Sequence, residues 1–338
     1  MKLITAIFIN IILLGQILVA GEITKVGTTV AQFVKFGVGA RASGMGESYV
    51  AAANDASAMV WNPAALTRLK KSQALFIRTK WIADVTYDFA GIALPFGEMG
   101  TLGIYYAGVN MNDMKVRTEY QQDGTGELFS ASDLALGLSF GKNITPRFAF
   151  GVGVKYLRQQ IWHETASNVA IDVGITYKTS IDGLRLGMAL SNFGDKMQLG
   201  GKDLLVFHDP DPNLDGNNDK IIAQLNTEKY DIPLTFRIGL AYQFIKNDFH
   251  QITLAMDGIT ANDYKEYLNI GGEYAFRDMV FLRAGYKGVG IKNNEVGFSL
   301  GGGLKYNFVS GLGLLIDYAY VDFGRFNNVQ RFSLSMNF

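Results

Sequence analysis

The chain has no cysteine in 338 residues. Disulfide-stapled scaffolds, thiolate zinc centres and cysteine nucleophiles are therefore excluded. So is a lipid anchor on a cysteine behind a cleaved leader. Prolines number only 6 beside 39 glycines, which argues against a Pro/Gly-rich disordered chain, and 48% apolar residues is too many for disorder of any kind. Neither sign of charge is in excess, since Lys and Arg total 31 and Asp and Glu total 31. A nucleic-acid-binding protein needs a basic face, so no nucleic acid is expected as a partner. Catalytic signatures are missing as well. No G-x-S-x-G elbow, Walker loop or H-E-x-x-H helix occurs, and His163, His208 and His250 fall near different connections. Gly301-Gly302-Gly303 lies inside an alternating segment, so it is not a phosphate loop. The chain is not expected to be an enzyme.

Long hydrophobic runs are equally scarce. The one present follows Lys2 and extends from Leu3 to Val19, broken only by Thr5, Asn10, Gly15 and Gln16, and ends at Ala20. A positive start, an apolar stretch and a small residue at the cut predict a signal peptide over residues 1–20. An uncleaved anchor is the competing reading. Beyond it no segment approaches the roughly eighteen consecutive apolar residues of a spanning helix. The remaining hydrophobicity must serve a soluble core or a membrane barrel.

What is present is alternation. In 295–308, Val296, Phe298, Leu300, Leu304, Tyr306 and Phe308 share one face, while Glu295, Gly297, Ser299, Gly301, Gly303, Lys305 and Asn307 share the other. Period two predicts strands. Fourteen such segments are expected: 73–81, 85–96, 100–112, 129–141, 147–159, 168–178, 183–194, 232–245, 250–260, 266–276, 279–288, 295–308, 311–322 and 329–338. Most exceed the globular mode of about 5–6 residues and match the roughly 9–11 that a tilted strand needs to cross a bilayer. Short turns are expected after even-numbered strands and longer connections after odd-numbered ones, notably 113–128 and 195–231. Outer-membrane barrels are arranged this way, with the short turns in the periplasm. Aromatics at strand ends, among them Tyr87, Phe89, Tyr105, Tyr106, Tyr306 and Phe308, are expected to form interfacial girdles. The fold class is therefore all-β, a 14-stranded antiparallel transmembrane barrel over 73–338, embedded in outer-membrane lipid. The competing architecture is a soluble β-sandwich.

Residues 21–72 do not alternate. Gly44 to Ala58 is rich in small residues and leans helical, and Asn62-Pro63 opens a second helix over Ala64–Lys71. Asparagine is a good N-cap and proline suits the first helical position. This N-terminal, partly helical segment is expected to enter the barrel lumen as a hatch.

The residues Phe36 to Ala51, with Gly39-Ala40-Arg41 and Gly44-Met45-Gly46, followed by Asn54-Asp55 and Trp61-Asn62-Pro63-Ala64, resemble the PorV/PorQ family. The N-terminal block carries the resemblance closely and the barrel carries it by pattern. These are FadL-like outer-membrane barrels. The resemblance implies a part in type IX secretion, binding exported cargo proteins and passing them from the translocon to a surface sortase. FadL itself carries long-chain fatty acids. The alternative function is therefore a channel for hydrophobic small molecules such as fatty acids or aromatics, with a hydrophobic ligand in place of a cargo.

Several residues stand out as site candidates. Arg41, Gly44, Gly46, Asn54, Asp55, Trp61, Asn62 and Pro63 belong to the hatch and lumen. An arginine inside a barrel needs a carboxylate, and Asp172, Asp257, Glu273, Glu295 and Asp317 are available. A salt bridge fixing the hatch and an anchor for a ligand carboxylate are both open. Small inward residues, such as Gly103, Gly151, Gly187, Gly271, Gly285 and Gly301, leave room for the hatch or for a ligand. A shuttle needs exposed apolar loop residues, and Leu204, Leu205, Val206 and Phe207 are the candidates. No cofactor is expected beyond a structural calcium at Asp211, Asn213, Asp215 and Asp219, which match D-x-N-x-D-G with an oxygen ligand at the ninth position. The twelfth position is Ile222, and an acidic polar loop without metal is the other reading.

Overall fold

The computed structural model describes residues 26–338, apart from 212, 214–217, 219, 293, 309 and 310. The predicted leader over 1–20 lies outside the described residues. Fourteen strands form the wall. They are β1 (Gln73–Lys80), β2 (Thr86–Pro95), β3 (Thr101–Asn110), β4 (Ala131–Asn143), β5 (Phe148–Ile161), β6 (Glu164–Lys178) and β7 (Leu184–Gly194), then β8 (Thr235–Lys246), β9 (His250–Ala261), β10 (Tyr264–Phe276), β11 (Val280–Val289), β12 (Phe298–Asn307), β13 (Gly313–Asp322) and β14 (Asn328–Asn337). Each pairs antiparallel with its sequence neighbours. β1 closes on β14 in unbroken register from Gln73↔Asn337 to Lys80↔Gln330, so the sheet has no free edge. Closure satisfies every ladder within the wall, which a bilayer demands.

The period-two pattern assigns the faces. In β4, Leu136, Leu138 and Phe140 point outward and are exposed, while Ala135 and Ser139 are buried. The same outward band continues through Val152 and Val154, Ile238, Leu254, Ile270, Leu282, Leu300, Ile316 and Leu334. A contiguous apolar belt of this extent would aggregate in water and is stable only against lipid. Of the aromatics expected in the girdles, Tyr106, Tyr306 and Phe308 face out. Tyr87, Phe89 and Tyr105 correct the expectation. They are buried in the lumen, with Phe89 stacked on Tyr105 at 5.6 Å. Alternation separates two faces without saying which is inner, and here the inner face is the aromatic one.

Short turns follow the even strands as expected. The other side is mixed. The connections 111–130 and 195–234 are long, whereas β5–β6 and β9–β10 turn tightly at Trp162-His163 and Asn262-Asp263. These strands outrun their predicted ends because Gln159, Gln160, Thr165 and Ser167 put polar residues on both faces. The alternation fades there while the ladder from Gln159↔Ala166 to Ile161↔Glu164 continues.

Residues 26–72 lie against the inner wall. They contain 3-10 turns at Gln32–Lys35 and Pro63–Arg68 and two short helices, α1 (Ala40–Gly44) and α2 (Ala58–Trp61). The helical leaning expected over 44–58 is not realised: residues 45–57 form turns between the two helices, which reach the stretch only at Gly44 and Ala58. The helix expected over 64–71 is the 3-10 turn ending at Arg68. Its cap is as predicted, since the Asn62 side chain accepts from Ala64 N at 3.2 Å and Pro63 takes the first position.

Candidate functional site

The lumen has two unlike halves. Toward β1–β4, hatch residues Phe33, Val38, Met45, Met59, Trp61 and Leu66 share one apolar core with the inward Leu75, Ile77, Tyr87, Phe89 and Tyr105. Toward β9–β14 the contacts are ionic. The α1 residue Arg41 donates to both Glu273 oxygens at 2.7 Å, and also to Asn54 and Asp55. Glu273 accepts in addition from Arg283 Nε at 2.7 Å, and Arg283 Nη1 donates to Asp317 at 2.6 Å. Of the carboxylates predicted to serve Arg41, Glu273 is the direct partner. Asp172 instead takes Lys155 at 2.7 Å, and Asp257 accepts from the backbone N–H groups of Tyr49 and Val50 at 2.7 and 2.8 Å. Glu295 lies outside the lumen strands, in the connection before β12, where it pairs with exposed Arg325.

Two of the hatch glycines owe their identity to close approach. Gly46 has φ 62°, a left-handed conformation, and a Cβ there would stand 2.6 Å from Tyr286 N. On the facing wall a Cβ at Gly285 would stand 2.1 Å from Gly46 N. Gly44 and Gly301 likewise touch backbone to backbone. The wall is small where the hatch main chain passes. Asp55 caps the next turn through Ser57 N at 3.0 Å, and Asn62 Nδ2 donates to Val50 O and to Ile175 O of β6 at 2.9 and 3.0 Å. Trp61 Nε1 donates to Val38 O at 2.8 Å. On the last strand, Arg331 donates to Gly37 O at 2.6 Å and to Ser43, and faces Glu47 at 3.7 Å. Burial pushes the Glu47 carboxyl up, but Lys287 and Arg331 more than offset this and hold it below the usual range.

The remaining lumen is tight on its apolar side. The cavity between Phe33, Phe36, Val60, Tyr87 and Tyr105 measures about 20 Å³. A site for a small hydrophobic ligand typically needs about 300–1,000 Å³.

The long-connection end presents a different surface. Leu205–His208 pairs antiparallel with Ile221–Gln224, forming a two-stranded ribbon that rises from the 195–234 connection. Phe207 pairs across with Ile222, and the two are 73% and 68% exposed. Leu205, Val206, Ile221 and Leu225 are exposed beside them. Leu204, the first of the four predicted loop residues, is half-buried, and its carbonyl accepts from Leu225 N at 2.8 Å. The sequence reading missed the partner strand. Its signal was the adjacent pair Ile221-Ile222, a second apolar stretch after the mostly polar 208–220. Of the expected calcium ligands, Asn213 N donates to Asp211 Oδ1 at 3.1 Å in a local turn, whereas Asp215 and Asp219 lie outside the described residues. Among the described residues no group of three or more His, Asp or Glu could hold a metal ion. The end of this connection is tied to the hatch and to the wall. Val30 N donates to Asp231 O at 3.0 Å, and Asn192 Nδ2 and Asn262 Nδ2 hold Pro233 O and Ile232 O at 2.9 and 3.1 Å.

Comparison with known proteins follows this geometry. A family model described as "Type IX secretion system protein PorV" matches residues 20–260. No curated protein gives a significant match. Among solved structures, the chain is similar to the CymD monoaromatic hydrocarbon channel, with TM-score 0.56 and 12% identity over 89% of this chain and 96% of that one. It is similar to the Pseudomonas putida toluene transporter TodX, with TM-score 0.54 and 13% identity over 89% and 97%. A Pseudomonas aeruginosa FadL homologue gives TM-score 0.51 and 15% identity over 87% and 96%. At these identities the likeness establishes a shared FadL-like barrel fold.

Proposed function

Since the chain belongs to the PorV family of type IX secretion proteins and is an outer-membrane barrel, we propose that it binds exported cargo proteins, without itself catalysing a reaction. The contact surface is the extracellular ribbon 205–224. The carrying observation is the Phe207–Ile222 pair, two large apolar side chains held exposed on a hydrogen-bonded ribbon. Exposed aromatic and aliphatic anchors on a rigid element are what a protein partner buries, and a ribbon's open edges can also accept an added strand. On this reading a translocon and a surface sortase are its further partners.

The uptake of hydrophobic small molecules is the weaker reading. The lumen cavity on the β1–β4 side measures about 20 Å³ and the one beside Trp61, Ile259, Tyr264 and Tyr267 about 210 Å³, both below the roughly 300–1,000 Å³ typical for such ligands. The ladder register also continues without a bulge from β14 through β1 to β6, which leaves that wall closed to lateral exit.

The test is affinity capture of secreted proteins from native membranes by the wild type and by the double variant Phe207→Asp, Ile222→Asp. Both positions are solvent-exposed, so barrel stability should move by no more than about 0.5 kcal/mol. Cargo capture should fall at least about tenfold, the loss of one interface anchor. Undiminished capture by the double variant would remove the ribbon from the role. Saturable uptake of a fatty acid or aromatic by cells carrying the wild type, with no cargo captured, would favour transport.

A further inference from the structure

The short-turn end of the barrel encloses a cavity of about 310 Å³ with a strongly charged lining. Its position follows from its wall. Lys246, Asp278, Lys305 and Asn337 stand beside the short turns, so the cavity lies at the periplasmic mouth, on the opposite side of the hatch from the ribbon. The lining carries six cations, Arg41 and Arg68 from the hatch and Arg185, Lys246, Arg283 and Lys305 from the wall, against three acids, Asp55, Glu273 and Asp278.

Every acid is already engaged. Glu273 lies between Arg41 and Arg283, Asp55 accepts from Tyr49, Ser57 and Arg41, and Asp278 takes Lys305 at 2.6 Å. Asp317, immediately behind, is held by Arg283. What remains is positive. Among the described residues Lys246 makes no ion pair, and Arg185 has only the more distant charge of Asp182, beyond ion-pair contact. Arg68 has only the carbonyls of Ala51, Ala52 and Ala53 as acceptors. The Nη2 of Arg283 is buried with no hydrogen-bond partner. Burial first, then the positive charges of Arg185 and Arg41, draw the Arg68 pKa down to about 9. Unpaired buried donors and crowded like charges are costly unless an anion offsets them.

We propose that this cavity binds a small, multiply charged oxyanion from the periplasm, carrying phosphate or carboxylate groups, through Arg68, Arg185 and Lys246, with the buried Arg283 adding positive charge from behind. Guanidinium forks match the paired oxygens of both groups. The volume is about ten times the roughly 30 Å³ share of a water molecule, enough for a pyrophosphate or a tricarboxylate with part of its hydration. The site does not depend on the cargo-binding role of the ribbon.

The full-length protein in detergent is titrated calorimetrically at two temperatures with inorganic pyrophosphate and with citrate, at low and at high ionic strength. The expected result is saturable binding of at least one of them, weakening as salt rises. Binding of pyrophosphate alone assigns the site to phosphates, and binding of citrate alone assigns it to carboxylates. Arg185→Gln and Lys246→Gln should each weaken binding about tenfold, equal to about 1.4 kcal/mol. Neither side chain holds another residue in place, and heat-modifiable gel migration verifies that both variants fold. Arg325→Gln, in the outer connection, should leave the affinity unchanged. The proposal is overturned if neither anion binds the wild type, or if both lumen variants bind as the wild type does.

Discussion

Arg41 carries the contacts of a structural cation, with two bonds to Glu273 and further ones to Asn54 and Asp55. Arg41→Ala leaves Glu273 with Arg283 as its remaining partner, so the cost should fall near the lower end for a broken buried pair, about 3 kcal/mol. Equilibrium unfolding in urea measures it, and Arg41→Lys, lacking the fork, should recover only part. If a ligand carboxylate were the true partner, stability would not move. At Gly46 the left-handed backbone and the nearby Tyr286 N oppose any side chain. Gly46→Ala should cost at least about 1 kcal/mol of hatch docking, read as faster proteolysis of residues 26–72. Glu47 supplies a pH dependence. Its folded pKa is lowered, so its contribution is complete above the unperturbed value of about 4.3 and is lost as pH falls below it. Acidification through that range should loosen the hatch, followed by Trp61 fluorescence, and Glu47→Gln should flatten the profile.

Strand number and most strand bounds were legible because each strand keeps one oily face for lipid, and period two is visible without any partner. The strand ends at 160–167 were not, since outside the bilayer both faces are polar. Nor was the inward turn of Tyr87, Phe89 and Tyr105. An inner wall is recognisable by polarity only when it meets water, and here it meets Phe33, Phe36 and Trp61 of the hatch. The Asn62-Pro63 cap was readable because its chemistry is local. Asn62 also holds Val50 O and Ile175 O, two contacts that sequence spacing does not encode. Asn62→Ala should therefore cost more than the roughly 1 kcal/mol of a cap alone, by urea unfolding.

At the scale of the whole molecule, a hatch packed by hydrocarbon on one side and ion pairs on the other obstructs the barrel. The intact protein should show little conductance in a planar bilayer, and a variant lacking 26–69 should open discrete steps if its wall still closes. The connection that carries the ribbon meets the hatch at its end, through the bond from Val30 to Asp231. If the ribbon binds cargo as proposed, this bond is where binding outside would reach the hatch.

The bonds from Arg331 to Gly37 O and from Ala40 N to Ser333 Oγ connect positions 294 and 293 apart in the chain. The hatch leaves the export machinery first, and the strand that completes its cradle arrives last. Until β14 zips onto β1, the Gly- and Ala-rich backbone of α1 has no seat on that side. Sealing of the seam and seating of the hatch thus become one late step, and a defect in either should be felt as slow maturation of the other.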